Sequence, residues 1–166
     1  MKKLISIILI CLLFSVFLVG CGNKEAEQTT PLATMGNPWS TWETIEEAEA
    51  AAGFEFNLPE TIADSYTALE IQTMNSSLIE VTYFDEDFEV CVRKQKGEGQ
   101  DISGDYNTYN FSEETTFNGA AITTCYNADN NAIKQLISYN GYSWSIIAPN
   151  GFWGDSNQDF INEICN

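Results

Sequence analysis

The chain contains no histidine among its 166 residues. This absence removes the base of Ser-His-Asp and Cys-His catalysis, and it excludes histidine-ligated zinc and histidine-based pH switching. The sequence also lacks a glycine-rich phosphate loop of the P-loop or Rossmann type and a Cys-x-x-Cys pair. It therefore predicts no catalyst of these kinds.

Positive charge is scarce, since seven Lys and Arg residues face 24 Asp and Glu residues. Such a balance repels nucleic-acid phosphates and anionic membrane surfaces. We therefore expect no nucleic-acid partner. Solubility is the simplest role of the acidic charge, and cations or cationic polymers are the partners compatible with it.

The one long apolar run lies at the N-terminus, from Leu4 to Val19, and follows two lysines. It is shorter than the roughly 20 residues of a membrane-spanning helix, and its layout is that of a secretory signal. The run ends in the letters LVGC, which resemble the lipobox of bacterial lipoproteins. The resemblance implies a lipoprotein signal peptide over residues 1–20, a lipid on Cys21, and a location on the extracytoplasmic face of the cell membrane.

Residues 21–37 are small and polar without a hydrophobic period, which predicts a flexible tether behind the lipidated cysteine. The remaining stretch, residues 38–166, has the commonest size of a single domain and is long enough to bury a core. We therefore expect one globular domain. We also expect it to be monomeric.

Two helices are predicted, one near each end of this domain. Thr44 and Glu47 form a capping box at the start of the first helix, and Gly53 supplies its C-terminal stop. The second helix is predicted from Ser156 to Cys165, where apolar residues recur at helical spacing. Trp39 and Trp42 precede the first helix and are predicted to hold its entry against the core.

Between the helices the hydrophobic period is two, which is typical of strands. The alternation predicts strands over 66–74, 78–84, 88–96, 115–126, 132–139 and 142–148, after a brief edge strand in 54–60 that Pro59 ends. The predicted fold class is α+β, with a twisted antiparallel meander sheet of about six strands and the N-terminal and C-terminal helices packed on one face.

The pair Asn140-Gly141 is the strongest turn signal, because both central residues of a type I′ turn need positive φ. It predicts a hairpin in which Tyr139 faces Tyr142 and Ile137 faces Trp144. The same register places Lys134, Ser138, Ser143 and Ser145 on the opposite face.

The segment from Lys96 to Phe111 is too long and too polar for a hairpin turn. Its alternating oxygens resemble the first half of an EF-hand loop, but the glycine is at the fourth position and Ser112 stands where the closing glutamate belongs. We predict first an ordered crossing that tyrosines pin to the sheet. The alternative is a binding loop, since long loops are often functional, and its candidate residues are Asp101, Ser103, Asp105, Tyr106, Asn107 and Tyr109.

Behind the predicted signal peptide, the chain has three cysteines besides Cys21, at Cys91, Cys125 and Cys165. An exported protein permits a disulfide, and the odd count leaves at least one thiol free or paired elsewhere. A Cys91–Cys125 bridge is predicted if their strands are neighbours, because its Cα atoms must lie within about 7 Å.

Three stretches resemble a family of exported lipoproteins from clostridia and related Firmicutes that carries a domain of unknown function: NPWSTWETIEEAEAAAGFEFNLPE, IEVTYFDEDFEVCVRKQKGEGQDISGDYNTY and YNGYSWSIIAPNGF. The resemblance runs from Asn37 to near the C-terminus. Its most specific motif is KG..DISGDYN.Y, which begins at Lys96. The domain is also similar to the extracytoplasmic part of some anti-sigma-factor proteins. This resemblance implies an α+β fold and a surface location, and it assigns no catalytic residue.

Three functions follow as hypotheses. The first is a lipid-anchored, non-catalytic domain that binds or senses an envelope protein or wall component. The second is a carboxylate-based hydrolase acting on wall or glycan material, because carboxylates are abundant. The third is a calcium-dependent envelope or adhesion module. We predict no cofactor and assign no catalytic or metal-ligating residue.

Overall fold

The fold is described by a computed structural model that covers residues 36–152 and 154–166. The predicted signal peptide, Cys21 and the predicted tether up to residue 35 lie outside these described residues. In the described part of the chain, neither helix is long and apolar enough to cross a membrane.

Both helices form where the sequence predicts them. Helix α1 is Ile45–Ala52; the Thr44 hydroxyl accepts from the Glu47 amide at 3.3 Å, and the Glu47 carboxylate accepts from the Glu43 amide at 3.1 Å. Gly53 ends the helix with a φ of 72°, a left-handed conformation that glycine adopts without steric cost. Helix α2 is Ser156–Ile164.

Nine strands form one antiparallel sheet: β1 Trp39–Trp42, β2 Thr61–Ile62, β3 Tyr66–Met74, β4 Leu78–Asp85, β5 Phe88–Lys96, β6 Phe111–Phe117, β7 Ala120–Tyr126, β8 Ala132–Tyr139 and β9 Tyr142–Ile147. The order across the sheet is β1-β3-β4-β5-β9-β8-β7-β6, and β2 pairs with β3. The antiparallel α+β class is therefore confirmed, but the count of about six strands is wrong.

The predicted strand 115–126 is in fact part of a hairpin of two strands, which explains part of the difference in strand number. Asn118 and Gly119 have φ values of 47° and 87°, so the chain turns there and divides that stretch into β6 and β7. The same Asn-Gly signal was recognised at Asn140-Gly141, where φ is 50° and 82° and the predicted register is confirmed. Two short strands, β1 and β2, add to the sheet at the other end.

The edge strand predicted for 54–60 is absent. Side chains satisfy the backbone there: the Phe56 amide donates to the Glu49 carboxylate, and the Glu55 carbonyl accepts from Lys94 Nζ. Asn57 has a φ of 64°, which breaks the extended conformation. Because these groups are already paired, the segment needs no strand partner.

The sheet is two meanders joined by a crossing rather than one meander. Strand β5 ends at Lys96 in the middle of the sheet, and the chain next enters the sheet at Phe111, on the far edge. Strands β6 to β9 then return step by step until β9 pairs with β5. The segment from Gly97 to Asn110 therefore has to cross β9, β8 and β7.

One face of the sheet carries the core, and both helices contribute to it. From α2, the Phe160 ring lies 5.4 Å from Tyr66 and 5.6 Å from Tyr83, and Phe56 lies 5.4 Å from Trp144. Such edge and tilted contacts are favourable for aromatic rings. The opposite face, which bears serines and charged residues, is left for the crossing segment.

Candidate functional site

The crossing segment, Gly97–Asn110, is bound to the serines of the β8–β9 hairpin. The Gly99 amide donates to Ser138 Oγ at 2.9 Å, and the Gln100 amide donates to Ser143 Oγ at 3.0 Å. Ser143 in turn donates to the Gly97 carbonyl at 2.7 Å. The polar face of the hairpin therefore supplies the partners that an exposed loop would take from water.

Within the segment, alternate oxygens accept hydrogen bonds from the backbone two residues further on. Asp101 accepts from the Ser103 amide at 3.0 Å, Ser103 from the Asp105 amide at 3.1 Å, and Asp105 from the Asn107 amide at 2.9 Å. These are successive side-chain turns. The alternating oxygens that resemble a calcium loop therefore accept backbone hydrogen bonds and hold the turns of the segment.

A lysine lies between the two carboxylates of this segment. Lys134 Nζ is 3.4 Å from Asp101 and 3.7 Å from Asp105, and it lies 5.0 Å from the centre of the Tyr109 ring. The Lys134 side chain is only 5% exposed, so both acids neutralise a buried cation. Among the described residues, no group of three or more Cys, Asp or Glu side chains is arranged to hold a metal ion.

Both carboxylates are held in the ionised form. Partial burial raises the pKa of Asp101, but hydrogen bonds from Ser103 and the charge of Lys134 outweigh burial and place that pKa below its ordinary value. For Asp105, hydrogen bonds from Tyr109 and Asn107 likewise outweigh burial and lower the pKa. Burial, together with the bond to Asp105, raises the pKa of Tyr109 to about 12. Such a cluster favours fixed charge over proton transfer near neutral pH.

Arg93, on strand β5, holds the middle of the crossing segment against the sheet. Its guanidinium donates to the carboxylate of Glu80 and to the backbone carbonyls of Ile102 and Ser103. The chain passes so close that a Cβ on Gly104 would clash with Arg93 Nη1, and the φ of Gly104 is +67°. Any other residue there would take a strained left-handed conformation and displace the guanidinium.

The crossing presents one aromatic side chain to solvent. Tyr106 is 96% exposed, whereas Tyr109 is half-buried and donates to Asp105. The prediction that both tyrosines pin the segment is therefore wrong for Tyr106. Its position follows from the turns at Asp105 and Asn107, which leave the intervening side chain directed away from the sheet.

A shallow groove of about 610 Å³ runs from Tyr106 to Trp39. Trp39 lies on the opposite face of β1 from Trp42, and its ring is 5.8 Å from the Arg93 guanidinium. Trp42 instead packs against the core, and its Nε1 donates to Thr73 at 3.0 Å. Trp39 thus does not hold the helix entry as predicted. Amides of Gln95 and Gln100 and the apolar chains of Met74 and Leu78 complete the groove.

The premise of the predicted Cys91–Cys125 disulfide is wrong, because their strands are not neighbours. Cys91 pairs with Ile147, Ile147 with Lys134, and Lys134 with Cys125, so two strands lie between the thiols. Three strand spacings separate their Cα atoms by about 14 Å. All three thiols of the described residues are free, and burial raises the pKa of Cys91 to about 12.

A second buried lysine escaped the sequence reasoning. Lys94 lies on the core face, 4.3 Å from the Tyr142 ring and 4.5 Å from the Trp144 ring, and donates to the Glu55 carbonyl. Burial lowers its pKa to about 8. The sequence signal for this burial is the strand alternation, which places Lys94 on the same face of β5 as the core residues Val90 and Val92.

Comparisons of the chain with protein-family models, with curated proteins and with solved structures find no match.

Proposed function

We propose that the chain is a non-catalytic binding domain, held at the extracytoplasmic face of the cell membrane by a lipid on Cys21. The observation that carries the binding role is Tyr106, which is 96% exposed on a segment whose backbone is bonded to the sheet and to itself. An aromatic side chain on a preorganised backbone loses little conformational entropy when it contacts a ligand.

The groove between Tyr106 and Trp39 supports a saccharide of the cell wall as the ligand. Aromatic faces stack on the apolar faces of sugar rings, and the side-chain amides of Gln95 and Gln100 offer donors and acceptors for hydroxyl groups. The ionised state of Asp101 and Asp105 supports a structural role for both, because a general acid requires a raised pKa.

The ligand role is tested by calorimetric titration of the chain with soluble cell-wall fragments. We expect Tyr106→Ala to weaken binding about tenfold, equivalent to about 1.4 kcal/mol, while the melting temperature stays unchanged. Phe111→Ala is the matched control, since it removes another exposed aromatic side chain from outside this groove. Equal binding by wild type and Tyr106→Ala would refute the site, and release of new reducing ends would refute the non-catalytic role.

The anchor is tested separately by cell fractionation. Cys21→Ser is expected to move the protein from the membrane fraction to the soluble exported fraction, because the lipid supplies the attachment. A Cys21→Ser variant that stays in the membrane fraction would contradict the anchor.

A further inference from the structure

Every basic side chain of the described residues has a partner within the molecule. Residues 36–166 contain 22 acidic and four basic side chains. Arg93 and Lys134 bind carboxylates, while Lys94 donates to the Glu55 carbonyl and Lys96 to the Gly53 carbonyl. The outer surface of the described residues is therefore acidic, and a partner of positive charge is the one it attracts.

Strand β6 is an open edge on this acidic surface. It is the last strand in the sheet order and pairs with β7 alone among the described strands. All its residues except Phe117 are exposed. In an antiparallel pair, alternate residues direct their N–H and C=O groups away from the partner, so β6 offers a row of backbone groups to a further strand.

The side chains of β6 determine which kind of additional strand can pair with it. Glu113 and Glu114 are consecutive, so they lie on opposite faces of the strand, and both faces of an added strand would meet a carboxylate. In an antiparallel pairing of two copies centred on β6, Glu114 is the middle residue and would face its own counterpart. Like charges opposite each other are destabilising, so β6 disfavours a second copy and favours a basic strand.

We propose that β6 binds an extended, lysine- or arginine-rich segment of a partner protein as a tenth strand of the sheet. Backbone hydrogen bonds supply the pairing, and the two glutamates select the charge of the partner. This surface differs from the groove at Tyr106, and the inference does not depend on the saccharide ligand.

The test uses the full chain and a synthetic peptide in which lysine pairs alternate with valine or threonine pairs, so that both faces of its strand carry lysine. A twin peptide with glutamate in place of lysine is the probe control. We expect binding of the basic peptide alone and slower amide hydrogen exchange in β6. Glu113→Gln with Glu114→Gln should weaken binding at least tenfold, and Glu113→Lys with Glu114→Lys should transfer binding to the acidic twin.

The matched control variant is Glu86→Gln with Asp87→Asn, which changes the net charge equally at an exposed turn of the β4–β5 hairpin. It should bind the basic peptide as wild type does. Equal weakening in both variant pairs without protection of β6 would show general charge attraction and overturn the proposal. No binding of the basic peptide, equal binding of both peptides, or dimerisation of the chain through β6 would overturn it as well.

Discussion

Among the described residues, two lysines are almost completely buried, and different partners hold them. Lys134 lies against two carboxylates, which supply opposite charge. Lys94 lies between aromatic rings and donates to one carbonyl, while Glu49 and Glu55 provide only longer-range attraction. At Lys94, burial outweighs this attraction and lowers the pKa to about 8.

The low pKa of Lys94 makes stability depend on pH. Between the folded value of about 8 and the ordinary value of 10.5, the unfolded state binds more protons, so this lysine makes the free energy of unfolding rise with pH. We expect wild type to gain stability over Lys94→Met across that range, by at most about 1.4 kcal/mol per pH unit. Urea unfolding of both proteins between pH 7 and 10 measures the difference.

Comparison with a variant cancels the contributions of all titrating groups that the two proteins share. Lys96→Met is the matched control, because it removes an equal charge from an exposed neighbouring residue. A stability difference between wild type and Lys94→Met that is flat with pH would contradict the lowered pKa.

At the scale of elements, the crossing segment behaves as a structural unit in its own right. Its turns are closed by its own oxygens, its start is bonded to the β8–β9 hairpin, and its centre lies over Arg93. It covers the part of the helix-free face that β5, β9 and β8 form. A loop of this length can therefore be ordered without helix or strand.

Replacing Asp101 and Asp105 together with Asn is expected to lower the free energy of unfolding by about 2 to 4 kcal/mol. The asparagines can still accept the turn hydrogen bonds, but Lys134 then remains buried without opposite charge. The effect is below that of a fully buried pair because the Asp101 side chain is 47% exposed. Denaturant titration of the double variant gives the value.

Adding Lys134→Met to that double variant tests the cause. Removal of the uncompensated cation should restore part of the lost stability, which a double-mutant cycle separates from independent effects. If stability is unchanged while ligand binding is lost, the two carboxylates belong to a binding loop instead.

At the scale of the whole molecule, the dominant feature is repulsion among carboxylates. Residues 36–166 have 22 acidic side chains, 18 more than basic ones. The four basic side chains form local ion pairs or hydrogen bonds. This excess keeps the surface soluble, but it also opposes the compact state.

Salt should therefore stabilise the protein. Raising sodium chloride from about 0.01 M to about 0.5 M shortens the screening length several-fold, and we expect the melting temperature to rise by a few degrees. Differential scanning calorimetry measures the change, with sucrose at matched osmolality as the control for solvent exclusion. A falling melting temperature would show that local ion pairs outweigh the overall repulsion.

Local chemistry made much of the fold predictable. The capping box at Thr44, the stop at Gly53 and the Asn140-Gly141 turn depend on a few adjacent residues, and each forms as predicted. Asn118-Gly119 carries the same signal, but the residues around it form one continuous alternating run, which predicts a single strand. The turn signal at Asn118-Gly119 is the correct guide there, because the structure has a hairpin.

The sequence does not predict which strands pair when they lie far apart in the chain. A strand's alternation tells which residues share a face, but it does not tell which strand lies beside it, because hydrogen-bonding edges are alike in all strands. The Cys91–Cys125 bridge therefore depended on a condition that the sequence could not test, and β9 and β8 lie between the two strands.

The sequence by itself determined the helices, the parity of most strands and the acidic surface, because these depend on neighbours in the chain and on composition. Only the tertiary structure decided that the chain after β5 crosses to the far edge, that Lys134 lies between Asp101 and Asp105, and that β6 remains an open edge. These features depend on residues far apart in sequence, and packing of the whole sheet brings them together.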